Sequence, residues 1–124
     1  MIPQGFTFSA VNAGIKSPDY EGLDLGLIVC EHEAVSSGVF TRNLVKAAPV
    51  LIGMEQTRRG TARAIIANSG NANACTGPHG IDDARSMMEA IADSLRISAE
   101  EVVPLSTGVI GVRMIRAQSE GSSV

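Results

Sequence analysis

Two short polar stretches hold most of the residues in this chain that could do chemistry. Ser106-Thr107-Gly108 follows the apolar run Val102-Val103-Pro104-Leu105 and leads into Val109-Ile110-Gly111. A side-chain hydroxyl followed by a glycine N–H can aim two hydrogen-bond donors at one point, as an oxyanion hole requires. Glycine also lets a backbone approach closely, with no Cβ in the way. By themselves these three residues read first as a turn that ends a strand. The second stretch is Asn68-Ser69-Gly70-Asn71-Ala72-Asn73-Ala74-Cys75-Thr76-Gly77, directly after the apolar Ala64-Ile65-Ile66-Ala67. A turn needs only one or two such residues. A longer run of amides, hydroxyls and glycines predicts a loop that offers backbone N–H groups and short polar groups to a ligand.

Other candidates are weaker. Residues 68–77 lack the lysine of a phosphate-binding P-loop and do not fit G-x-G-x-x-G. Cys75 and His79 stand four apart and could pair as nucleophile and base, but no third group orients them, and ordinary loop roles fit them too. His32 and His79 have no ligand partners at metal spacing, so no metal is expected. No cofactor motif is recognised. Met87-Met88 reads as core packing.

Strands and one helix must carry these stretches. Residues 6–11 alternate in period two and predict a strand. Residues 23–30 begin alternating and end wholly apolar, as a strand entering a buried sheet does. Residues 35–40 predict a weaker strand interrupted by Gly38. Residues 48–52 predict a short edge strand, since Pro49 has no ladder donor, and residues 53–60 a short polar turn or helix. Residues 62–67 predict another buried strand. From Ile81 the period changes: Ile81, Ala84, Met87, Met88, Ile91 and Leu95 mark an amphipathic helix, with Asp82 and Asp83 placed in its first turn. Ser98-Ala99-Glu100-Glu101 has capping-box spacing just before the strand 102–105. Strands on both sides of a long helix predict an α/β chain.

The bulk composition narrows the class. At 124 residues, the chain has the length of one domain and can bury roughly two-thirds of its unfolded surface. With 44% hydrophobic and 19% charged residues it reads as globular. There is no Trp, and only three Phe and one Tyr, so its core must be aliphatic and is expected to form part of a larger one. A net charge of −3, with basic residues clustered only at Arg58-Arg59, argues against nucleic acid as partner. Neither a signal peptide nor a membrane-spanning run is read, and Cys30 and Cys75 form no disulfide framework. The expected setting is the reducing cytoplasm, away from membranes.

Taken together, the segments 5–16, 38–50, 68–77 and 106–111 make the chain resemble the ornithine acetyltransferase (glutamate N-acetyltransferase) family of arginine biosynthesis, over about residues 4–112. The resemblance implies a layered sheet-and-helix fold of the self-processing, N-terminal-nucleophile type, incomplete in this chain. Residues 1–112 would be the N-terminal part of an α chain, and residues 113–124 a divergent, loose tail. Members of the family cut themselves before a threonine, which becomes the nucleophile at the start of a β chain. That threonine carries acetyl from N-acetylornithine to glutamate, with acetyl-CoA as a second donor in bifunctional members. By the same resemblance Thr107 and Gly108 match the oxyanion hole, while no candidate self-cleavage threonine is found here. The implied partner is therefore a β chain or downstream part, in a hetero-oligomer, and the chain alone is expected to be inactive. A non-catalytic truncated remnant and a small anion-binding module stay open as alternatives.

Overall fold

The computed structural model describes residues 1–114. Six main elements follow one another: β1 (Phe6–Val11), β2 (Leu25–Val35), α1 (Ala48–Thr57), β3 (Thr61–Asn71), α2 (Gly77–Leu95) and β4 (Val102–Val109), with one 3-10 turn at Ala99–Glu101. The strands form a single sheet in the order β1-β2-β3-β4. The first two pairings are antiparallel and the last is parallel. The crossover through α2 makes the parallel pair possible, since parallel neighbours cannot be joined by a tight turn.

Both helices cover the same face of the sheet. Ile52 of α1, Ala64 and Ile66 of β3, Ala84, Met88 and Ala92 of α2, and Val102 of β4 form the buried cluster. The opposite face lacks a cover among the described residues: Phe8 is 51% exposed and Leu105 48%. Side chains alternate across a strand, so Ile65 falls on this open face while Ala64 and Ile66 face the helices. A mixed, layered α/β fold is thus present as expected.

Four expectations about elements need correction. Residues 48–52 are the start of a helix. Pro49 suits a first helical turn as well as an edge strand, because neither site needs its missing N–H, and so short an apolar run has no period to decide between them. Residues 35–40 are not a strand: Val35 ends β2, and beyond it the Phe40 ring lies so close to Gly38 that a Cβ there would come within 2.8 Å of it. Asp82 and Asp83 miss the first turn, because α2 begins four residues earlier than its apolar stripe, with proline in its opening turn. Finally, the strands predicted at 62–67 and 102–105 run on into the polar stretches, so Asn68–Asn71 and Ser106–Val109 are sheet and not loop or turn. The capping box at Ser98 is present, with the Glu101 carboxylate accepting the Ser98 N–H at 2.9 Å. Of the tail predicted at residues 113–124, the part from residue 115 onward lies outside the described residues.

Candidate functional site

The two polar stretches are paired with each other. In the parallel ladder Asn68 stands opposite Ser106, Ser69 opposite Thr107, Gly70 opposite Gly108 and Asn71 opposite Val109. Asn, Ser and Gly disfavour strands, so pairing with a neighbour overrides local propensity here. The pairing is close. A side chain at Gly108 would put its Cβ 2.3 Å from the Gly70 carbonyl carbon, and Gly108 adopts φ 133°. Both facts restrict this position to glycine. Gly70 is equally constrained, at φ 120°, with the Lys16 backbone packed over it: a Cβ there would lie 2.9 Å from Lys16 Cα. Thr107 and Gly108 are exposed at this end of β4. By strand alternation Thr107 shares the open face with Leu105, and Ser106 the helix face with Val102.

A chain of buried amides secures this end of the sheet. Asn68, Asn71 and Asn73 are only 3%, 8% and 0% exposed. The Ser106 hydroxyl donates to Asn68 Oδ1, and Asn68 Nδ2 donates to the Asn71 carbonyl at 2.8 Å. Asn71 Nδ2 reaches the Val112 carbonyl at 2.9 Å, and its Oδ1 accepts the Asn73 N–H at 2.8 Å. Asn73 Nδ2 ends the chain on the Gly80 carbonyl in α2 at 2.7 Å, while its Oδ1 accepts the Thr76 hydroxyl. Backbone bonds from Ala72 to Val109 and from Gly111 to Ala74 close the same seam. All three amides are bonded, as buried polar groups must be.

A captured carboxylate holds the neighbouring loop. Asp24, 3% exposed, accepts the Ala13 N–H on Oδ1 and the Ile15 and Lys16 N–H groups on Oδ2, at 2.7, 2.7 and 3.1 Å. Its own carbonyl accepts the Ser69 N–H, so one residue ties the loop to β3. Burial pushes the Asp24 carboxyl upward, but the backbone donors of Ala13, Lys16 and Ile15 outweigh it and hold the group below its ordinary 3.8. Lys16 Nζ sits 4.5 Å above the Tyr20 ring. Just past Val112, Arg113 makes a two-pronged bond to buried Asp83 of α2 at 3.2 and 3.3 Å, and that bond raises the guanidinium above its ordinary value.

Of the residues singled out from the sequence, Thr107, Gly108 and residues 68–71 come together, and Cys75 and His79 do not. Both of the latter are exposed, Cys75 with φ 58°, and no hydrogen bond joins them. Among the described residues no three His, Cys, Asp or Glu side chains cluster as a metal site. No helix among them is long and apolar enough to cross a membrane. Sequence reasoning missed Asp24, Lys16 and the partnership of Ser106 with Asn68. The available signal was Asp24 itself, a charge inside the apolar run Leu23 to Leu27, where an ionised side chain needs partners if buried.

Comparison with known proteins agrees with this fold. The ArgJ family model matches residues 7–121. The arginine biosynthesis bifunctional proteins ArgJ of Caldanaerobacter subterraneus and Geobacter sulfurreducens are 54% and 53% identical over 90% of this chain. The chain spans only 27% and 28% of their lengths. Among solved structures, it superposes on ornithine acetyltransferase from Mycobacterium tuberculosis, complexed with ornithine, with a TM-score of 0.90 and 43% identity. That match covers 98% of this chain and 65% of the other. The arginine biosynthesis bifunctional protein of Bacillus halodurans gives a TM-score of 0.89 at 39% identity, over 97% of this chain and 62% of that one. Family model, sequence relatives and superposed structures agree along nearly the whole chain, which therefore belongs to the ArgJ family.

Proposed function

We propose that this chain forms the oxyanion-binding part of an acetyl-transfer site in arginine biosynthesis, with N-acetylornithine as acetyl donor and glutamate as acceptor. Residues 1–112 act as the N-terminal part of an α chain that works with a β chain in the cytoplasm. In the first half-reaction a threonine hydroxyl outside this segment attacks the acetyl carbonyl. The carbonyl oxygen becomes an oxyanion, and its collapse releases ornithine and leaves an acetyl ester on the threonine. The glutamate amine then attacks that ester, passes through a second oxyanion and leaves as N-acetylglutamate. The Thr107 hydroxyl and the Gly108 N–H stabilise the negative oxygen in both steps, where donors fixed in advance are worth most.

The observation that carries this reading is the exposed Thr107-Gly108 pair at the end of β4, on a strand locked rung by rung to β3. Its support from relatives is the ornithine found with the Mycobacterium tuberculosis structure. The test joins residues 1–111 to the remainder of a family member and compares Thr107 with Thr107→Ala. Removing one oxyanion donor lowers kcat by about a hundredfold or more. Self-cleavage can use the same donors, so only cleaved protein is assayed. The 124-residue chain alone serves as control and transfers no acetyl group, for want of the covalent acceptor. Normal turnover by cleaved Thr107→Ala protein would reduce Thr107 to an ordinary strand residue and refute the assignment.

A further inference from the structure

We propose that the Asn68–Ser106 pair is the positioning element of this site, setting the register that aims the Thr107 hydroxyl and the Gly108 N–H. The proposal rests on the oxyanion reading above and adds the residues that make it work. Gly70 faces Gly108 across the ladder, so at this rung neither strand has a side chain with which to hold its neighbour. Register is weakly specified in glycine-rich strands, and here both glycines also adopt positive φ. The rung must therefore be held by the rungs beside it. On one side Ser106, the residue just before Thr107, donates to buried Asn68. On the other, Ala72 bonds Val109 and Asn71 Nδ2 bonds the Val112 carbonyl. Asn68 links the two sides, because its Nδ2 donates to the Asn71 carbonyl.

A hydrogen bond suits this task better than apolar contact. Asn68 and Ser106 follow the fully buried Ile66 and Pro104 on the helix face of the sheet, where a purely apolar pair would hold the strands by contact alone and could slide. A hydroxyl donating to an amide oxygen has one distance and a narrow range of angles. Since misplacing a reacting group by about 1 Å can cost as much as a hundredfold in rate, that restraint bears on catalysis. Neither Asn68 nor Ser106 touches the reacting atoms; both act through the strand.

The test uses the joined enzyme described above, with Ser106→Ala, Ser106→Thr and the double variant Ser106→Ala/Thr107→Ala. Ser106→Ala removes the hydroxyl and leaves Asn68 bonded to Asn71. It is expected to lower kcat about tenfold with KM unchanged, and Ser106→Thr, which keeps a hydroxyl, to restore most of the rate. The decisive measurement is the cycle: once Thr107 has lost its hydroxyl, Ser106→Ala should cost clearly less, because there is less left to aim. A half-buried serine that merely stabilises the fold would lower the melting temperature equally in both backgrounds and leave kcat alone. If Thr107→Ala is impaired while Ser106→Ala stays within about twofold of the parent kcat, or if the two losses multiply, positioning is refuted and the oxyanion reading survives. If Thr107→Ala itself turns over normally, the oxyanion reading falls and this one with it.

Discussion

Replacing Asp24 by asparagine tests how the loop over the site is held. The carboxylate accepts three backbone N–H groups from inside the protein. Hydrogen bonds to a charged group contribute about 1.5–3 kcal/mol each, and neutral ones about 0.5–1.5. An asparagine has the same shape, but its Nδ2 can only donate. Its best orientation aims the oxygen at Ile15 and Lys16 and turns the amide nitrogen toward the Ala13 N–H, which loses its acceptor. Three charge-assisted bonds thus become two neutral ones, a change of roughly 4 kcal/mol at face value, and of about 2–3 after allowing for water at the loop's exposed side. For a chain of this size that corresponds to a fall in Tm of roughly 10 °C. The assay is urea unfolding followed by circular dichroism, at low-micromolar protein, as a function of pH. Because the folded carboxyl is held below its ordinary 3.8, it contributes fully above that value, and the contribution is lost as pH falls through the lower folded one. The gap between the parent and Asp24→Asn should therefore be wide at neutral pH and narrow steadily below about pH 4. A gap under about 1 kcal/mol at neutral pH, or one that persists undiminished at about pH 2, would refute the role given to Asp24.

Gly108→Ala should cost at least about 3 kcal/mol, since its new methyl meets the Gly70 backbone and its φ is strained for any other residue. Thermal melting checks this, and a variant as stable as the parent would show that β3 and β4 are less tightly paired than described. Because such a variant damages the fold, it says nothing about Gly108 as a donor. The open sheet face, with Phe8 and Leu105 about half exposed, should make the isolated chain self-associate at tens of micromolar. Sedimentation velocity should find species larger than a monomer, reduced by Phe8→Lys with Leu105→Glu. A monodisperse parent monomer would contradict this.

Whatever carries its own periodicity was legible in the sequence. β1 and the body of α2 follow from alternation in Phe6–Val11 and from the three-four spacing of Ile81, Ala84, Met88 and Leu95, because each period gathers its apolar residues on one face, that of the open sheet side for Phe6 and Phe8 and that of the core for α2. The capping box at Ser98 was equally local, since its two hydrogen bonds join residues three apart. Motifs taken together also pointed to the family. Tertiary structure alone decided the rest. Residues 48–52 are helical because the helix covers the sheet and Gln56 reaches the Ala99 and Val102 carbonyls, contacts more than forty residues distant in sequence. Asn68–Asn71 and Ser106–Val109 are strands because each has the other, although Asn68, Gly70, Asn71 and Gly108 locally prefer turns. Asp24 holds the residue 13–16 loop only after folding carries the carboxylate beneath it. Local preferences amount to tenths of a kilocalorie per residue, whereas an unpaired buried amide or carboxylate costs several times more, so where the two conflict the partner across the fold prevails.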